Sequence, residues 1–280
     1  MLSRLIFSLL LALCCLGGTL PAQVQAASGP ARILAGSTLI ADVLGELAPQ
    51  GTDIRVLIPG GACPGHFDLK PSDLELIQGA QAVILHAWQK NMPTMKNLLH
   101  AAENDKLAVD ALPEPVNPML PSGQAALTSS VCDVLVRVFP AQAKAIRTAT
   151  EHRLARIKAV GTALQVMLEP LRTAHIKVLC SVMQAQLVDW AGCEVVARYG
   201  RPQDLTPVKL AKLIAVGREN GVTLVVDNIQ SGADMGSNMA EELNAKQIAL
   251  SNFPGAIKDT PTWEQTLRAN IRQLMNAAGI

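Results

Sequence analysis

From Arg32 the chain runs "RILAGSTLIADVLGELAPQGTDIRVLIP": a short apolar stretch, Ser37 or Thr38 as a helix N-cap, "IADVLGELA" at helical spacing, then a second apolar stretch ending at Ile58. This strand-helix-strand rhythm constrains the fold more than any other feature. Short strands separated by helices pair in parallel, and a parallel sheet has to be covered on both faces. The rhythm continues. Ser72 is suited to cap a helix over "SDLELIQGA", and "QAVILH" reads as a buried strand ending at His86. A βαβαβ series of this kind places ligands at the carboxyl ends of its strands.

A proline-rich segment, "DALPEPVNPMLPSG" from Asp110 to Gly123, reads as a connecting loop. Beyond Pro140 a helix is expected from Ala141 to Arg172, with Ile146, Leu154, Ile157, Leu164, Met167 or Leu168, and Leu171 on one side. At ~1.5 Å per residue it spans on the order of 45 Å, longer than one small lobe. The second half then repeats the pattern. "HIKVLCSV", "CEVVARYG", "VTLVVDNI" and "KQIALSNFPG" read as strands with helices between them. One helix has Thr206 as N-cap, Pro207 at its first position and Gly221 as its stop, and "TPTWEQTLRANIRQLMNAAG" closes the chain. The expectation is an α/β protein: two parallel-sheet lobes joined by a long rigid backbone helix. The divisions are an N-terminal lobe over residues 27–140, a linking helix over 141–172 and a C-terminal lobe over 173–280.

Residues 1–26 read as a secretory signal peptide, with Arg4, an apolar run from Leu5 to Leu16 and small residues ending in "VQA". The run is shorter than the roughly 17 to 25 residues that span a bilayer. Cleavage after Ala26 would leave the protein in the periplasm. Lipid anchoring at Cys14 or Cys15 is the lesser reading, because Leu13 stands where a small residue is usual. Lys and Arg total 24 against 23 Asp and Glu, so no net field draws the chain to nucleic acid or an anionic membrane. Aromatics are only 3% of the residues, which leaves little to stack sugars or bases. A monomer that binds a small polar or ionic ligand is expected.

The stretch "GACPGHFDLKPSDLELI" places Cys63 and His66 three residues apart in a loop, but two ligands do not make a zinc site. Cys63 reads as a ligand, a disulfide partner or a free thiol, and His66 as a ligand or a turn residue. His86 is a ligand or the polar end of a buried strand, and Met183 a thioether ligand or a core filler. Cys180 and Cys193 read as small buried residues, and Cys132 has no visible partner. No His-Glu-x-x-His or Gly-x-Ser-x-Gly pattern is present, so no enzymatic activity is expected.

"CPGHFDLKPSDLELIQGAQAVI", "TPVKLAKLIAVGRENGVTLVVDNIQSG" and "WEQTLRANIRQL" together resemble segments of the solute-binding proteins of bacterial zinc and manganese ABC importers. The resemblance covers nearly the whole chain after the leader. It implies one metal ion held between two lobes on a rigid helix and passed to an ABC permease in the inner membrane. Gly65 falls at that family's first histidine position, with His66 one place later. Met119 is the nearest candidate for the second position, Met183 falls at the third and Asn252 at the terminal aspartate. Asp227 keeps an acidic side chain where the family often has one. The implied contacts are then Cys63, His66, His86, Met183 and Asp227, a softer set suited to Zn or Cu(I) as cargo and not to Mn. The alternative is a binding protein of the same fold for a metal chelate or small organic ligand, with Trp88 lining its pocket.

Overall fold

Four short strands build the first sheet: β1 (Arg32–Ser37), β2 (Asp53–Ile58), β3 (Ala82–His86) and β4 (Ala108–Leu112). All pair in parallel, in the order β2-β1-β3-β4. The computed structural model describes residues 30–68 and 70–280, so the leader expected over residues 1–26 lies outside the described residues. The crossovers are α1 (Thr38–Leu47), α2 (Pro71–Gln78), and α3 (Ala87–Lys90) with α4 (Pro93–Ala101). Next come α5 (Pro121–Val138), α6 (Ala143–Met167) and α7 (Glu169–Thr173). The second lobe follows as β5 (Lys177–Ser181), α8 (Ala185–Ala191), β6 (Glu194–Tyr199), α9 (Pro207–Asn220), β7 (Leu224–Asn228), α10 (Ser237–Leu243), β8 (Lys246–Leu250) and α11 (Trp263–Ala278). Its strands are again parallel, in the order β6-β5-β7-β8. Among the described residues no helix is long and apolar enough to cross a membrane.

Several helix ends follow from side-chain chemistry. Ser37, not Thr38, caps α1, its hydroxyl oxygen accepting from the Ile40 N–H at 3.4 Å. Thr206 caps α9 in the same way, and Gly221 ends that helix at φ +68°. The cap expected at Ser72 is not formed. Pro71, with its φ already helical, starts α2 one residue earlier, and the Asp73 carboxylate reaches back to the Lys70 N–H at 2.8 Å.

Two further expectations are corrected. The proline-rich loop begins later than Asp110, because β4 takes its first residues as an edge strand beside β3. The helix expected over 141–172 is α6 and α7, divided at Leu168. Pro170 has no N–H to donate and its ring clashes with the carbonyl four residues back, so the long helix ends before it. At ~1.5 Å per residue, the 25 residues of α6 still span about 37 Å.

One apolar core runs through both lobes. Ile33, Ile84 and Leu44 of the first lobe join Leu135, Ile157 and Leu164 of the central helices, which join Val178, Val226 and Ile271 of the second. Separate clusters cover the outer face of each sheet. A close-packed interior shared by two lobes resists wide opening and permits small shifts. The buried stripe of α6 is Ile146, Thr150, Arg153, Ile157, Val160 and Leu164. Arg153 occupies the place expected of Leu154. It is 2% exposed and donates to Asp42 Oδ2 at 2.5 Å, to Thr128 Oγ1 at 3.3 Å and to Glu46.

Candidate functional site

In each sheet the chain order reverses at one pair of neighbours, β1 beside β3 and β5 beside β7. Loops leaving the carboxyl ends of such strands diverge and leave a crevice. Here residues from both sets of strand ends line one cleft of about 590 Å³ between the lobes. The first lobe contributes Cys63 after β2, His86 at the end of β3, and Glu114 after β4; the second contributes Met183 after β5, Arg201 after β6 and Asn228 at the end of β7.

His86 is fully buried, and both ring nitrogens are engaged. Nε2 pairs with Ser37 Oγ at 2.6 Å, and Nδ1 meets a carboxylate oxygen of Glu114. The carboxylate oxygen facing Nδ1 accepts from the ring N–H, which leaves Nε2 of the neutral ring to accept from the Ser37 hydroxyl. The other Glu114 oxygen accepts from Trp88 Nε1 at 3.1 Å. Trp88 stacks on the imidazole with centroids 5.5 Å apart, and Phe253 of the second lobe tilts against it at 6.4 Å. The order Ser-His-Glu is that of a hydrolytic relay. Ser37, however, is 2% exposed and closes the start of α1, so it presents no nucleophile to the cleft.

Carboxamides form the second-lobe floor. Gln184 Nε2 is shared among Asn228 Oδ1 at 2.8 Å, Asn252 Oδ1 at 3.1 Å and Leu250 O at 3.2 Å. Asn228 Nδ2 donates to Ser231 Oγ at 2.8 Å. Gln230 bridges the lobes, its Nε2 donating to Gly60 O at 2.7 Å, and Thr38 Oγ1 donates across to Pro254 O at 2.8 Å. Glycine at position 60 is required by this closure, since a Cβ there would stand 2.0 Å from Pro254 O.

Of the residues expected at the site, Cys63, His86 and Met183 line the cleft, and His66 and Asp227 do not. Cys63 precedes the short turn Pro64–His66 in extended conformation, so the pair does not share a face, and His66 is exposed. Asp227 is placed by the pleat. Alternate residues of β7 face opposite sides of the sheet; Val225 and Asp227 point toward α9 and α10, and Asn228 toward the cleft. The Asp227 carboxylate, fully buried, accepts from Tyr199 Oη at 2.6 Å, Gly236 N at 3.0 Å and Gln247 Nε2 at 2.5 Å. Burial, then the Asp227 charge, hold the Tyr199 phenol far above its ordinary range, so it stays a donor. Met119 is core, its carbonyl accepting from Trp263 Nε1 at 3.0 Å.

Glu114 and Arg201 were not singled out as cleft contacts by sequence reasoning; Asn228 and Gln230 were not named one by one, and Asn252 entered through the resemblance. The available signal was position: Asn228 and Asn252 each stand at or just after the carboxyl end of a strand, with the buried Gln184 beneath them.

Cys63, Cys132, Cys180 and Cys193 are all free thiols. Burial raises the Cys180 thiol well out of reach of physiological pH and pushes Cys193 up to about 12. A neutral alkylating reagent at pH 8 should therefore modify Cys63 alone of these four in the native protein, the others following only after denaturation, as peptide mass spectrometry would report. Fast labelling of Cys180 or Cys193 before unfolding would contradict their burial.

A bare transition-metal ion fits this cleft poorly. Among the described residues no group of three or more His, Cys, Asp or Glu side chains gathers to hold one. The imidazole of His86 would first have to lose Ser37 or Glu114, leaving Cys63 and Met183 as open soft donors, whereas zinc takes three or four ligands. The volume is that of a small-molecule site.

Residues 33–277 match the family model described as ZnuA, zinc-uptake complex component A, periplasmic. A search of curated protein sequences finds no match. Among solved structures, the chain is similar to the periplasmic zinc-binding protein TroA from Treponema pallidum, with a TM-score of 0.76 at 13% identity over 89% of this chain and 99% of that one. It is similar to the Mn-bound periplasmic metal-binding protein from Candidatus Liberibacter asiaticus, with a TM-score of 0.74 at 13% identity and the same coverage. A ZnuA crystal structure gives 0.74 at 17% identity, again over 89% and 99% of the two chains.

Proposed function

This chain belongs to the ZnuA family of periplasmic zinc-uptake components, and on that premise we propose that it is the solute-binding component of an ABC importer. It takes its cargo between the lobes in the periplasm, as a monomer, and hands it to a permease in the inner membrane. It is a binding protein of transport and not an enzyme.

The cargo we infer is a transition metal carried as a chelate. Relatives of the same fold named for zinc or solved with Mn support the metal. The chelate reading is carried by one observation: the cleft holds about 590 Å³ but among the described residues gathers no trio of ligating His, Cys, Asp or Glu side chains. A second reading, Zn or Cu(I) bound bare, is favoured by the Cys63 thiol and the Met183 thioether lining the same cleft. Neither reading draws on His66, which is exposed, or on Asp227, whose carboxylate is bonded to Tyr199, Gly236 and Gln247.

Metal-free protein titrated with Zn, Cu(I) and Mn salts, and separately with their small-molecule chelates, tests this by thermal stability and metal content. A ligand bound at a hundred times its Kd stabilises by about 2.7 kcal/mol. A chelate is expected to give such a shift and the bare ions none. Stoichiometric uptake of bare Zn or Cu(I), falling as pH is lowered and lost in Cys63→Ser, would establish the second reading instead.

A further inference from the structure

We propose that the cleft recognises its cargo through a carboxylate, and that Arg201 receives it. The inference rests on the reading of the cleft as the cargo site. Arg201 leaves the second lobe after β6, lines the cleft and lies against the first-lobe loop that carries Cys63. Its guanidinium packs closely over Gly65, where a Cβ would stand 3.0 Å from Nη1. Among the described residues no carboxylate lies within 4 Å of that guanidinium. Asp204, its near neighbour, is turned to the Arg201 backbone N–H at 3.2 Å instead.

A planar fork of five N–H donors with no carboxylate partner among the described residues, facing a cleft, matches a carboxylate taken in bidentate fashion. The same charge opposes a bare cation in that space. Glu114 is the opposing formal charge of the lining, and both its oxygens are engaged, by His86 and by Trp88. Trp88, Val182, Met183 and Phe253 offer apolar surface to an organic body. The ligand class is therefore a small organic carboxylate, either free or chelating a transition metal.

The probes are citrate, zinc citrate, zinc alone and the cationic zinc–triethylenetetramine complex. Each is titrated calorimetrically into the wild type, Arg201→Gln and Arg201→Lys, and scored for protection of Cys63 from a neutral alkylating reagent. One or both carboxylate probes should bind and protect Cys63. Arg201→Gln should weaken them about tenfold to a hundredfold with its ligand-free Tm unchanged, and Arg201→Lys should be intermediate. Binding of zinc citrate but not citrate identifies the chelate as the source; equal binding identifies the free carboxylate. The proposal is overturned if neither carboxylate binds, if Arg201→Gln binds both as tightly as wild type, or if zinc alone or the cationic complex binds more tightly than both. A cationic complex that binds more tightly than both carboxylates and protects Cys63 defeats the carboxylate inference and leaves the cleft reading standing. Carboxylates that bind without protecting Cys63 defeat the cleft reading itself.

Discussion

Arg153→Ala should lower the unfolding free energy by about 3–5 kcal/mol, the cost of leaving buried charge without its partner. At roughly 2–4 °C per kcal/mol for a chain of this size, Tm should fall by about 10 °C. Arg153 ties α6 to α1 through Asp42 and Glu46, with the Asp42 side chain only 7% exposed. The loss should depend on pH. Burial raises the Asp42 carboxyl above its ordinary 3.8 by more than Arg153 lowers it. A folded-state value raised in this way contributes stability that is full below 3.8 and lost as pH rises through the raised value. Without Arg153 that value climbs further, so the variant's deficit should be smaller at pH 5 than at pH 8. Denaturant titrations at the two pH values measure this. An equal deficit at both would mean that Asp42 is not the charge left stranded. Replacing the pair together, as Arg153→Met with Asp42→Leu, should recover much of the loss.

The second large effect is expected at Asp227, and on stability alone. Asp227→Ala removes the acceptor of the buried Gly236 N–H and of short bonds from buried Tyr199 and half-buried Gln247, between β7 and α10. Orphaned buried donors cost about 1–3 kcal/mol each, and Tyr199 and Gln247 keep other acceptors in Val226 O and Ala233 O, so a total of about 2–4 kcal/mol is expected. Cargo affinity of the folded variant, measured well below its Tm, should be unchanged. A drop in affinity without a drop in Tm would return Asp227 to the binding site.

These two residues mark where local sequence stops being informative. In α6 the apolar spacing located the buried stripe at Ile146, Ile157 and Leu164, because a 3.6-residue period is a local property. It assigned the position between them to Leu154, since nothing local announces that α1 presents Asp42 and Glu46 at the same height. In β7 the sequence located the strand end but not which of Asp227 and Asn228 turns into the cleft. That parity depends on the register with β5 and β8.

The chain by itself determined the alternation of strands and helices, the parallel sheets this forces, the cap at Thr206, and the strand-end loops that carry Cys63, His86 and Met183. Each follows from backbone period, capping chemistry or the rule that parallel strands bind at their carboxyl ends, and each needs only neighbours in sequence. The tertiary structure alone decided that the His86 nitrogens go to Ser37 and Glu114, that Gly60 and Pro254 close one lobe on the other, and that Arg201 lies over Gly65. Those contacts join residues far apart in the chain. They are fixed by how two sheets and a shared core set one backbone against another, and no short stretch of sequence encodes that arrangement.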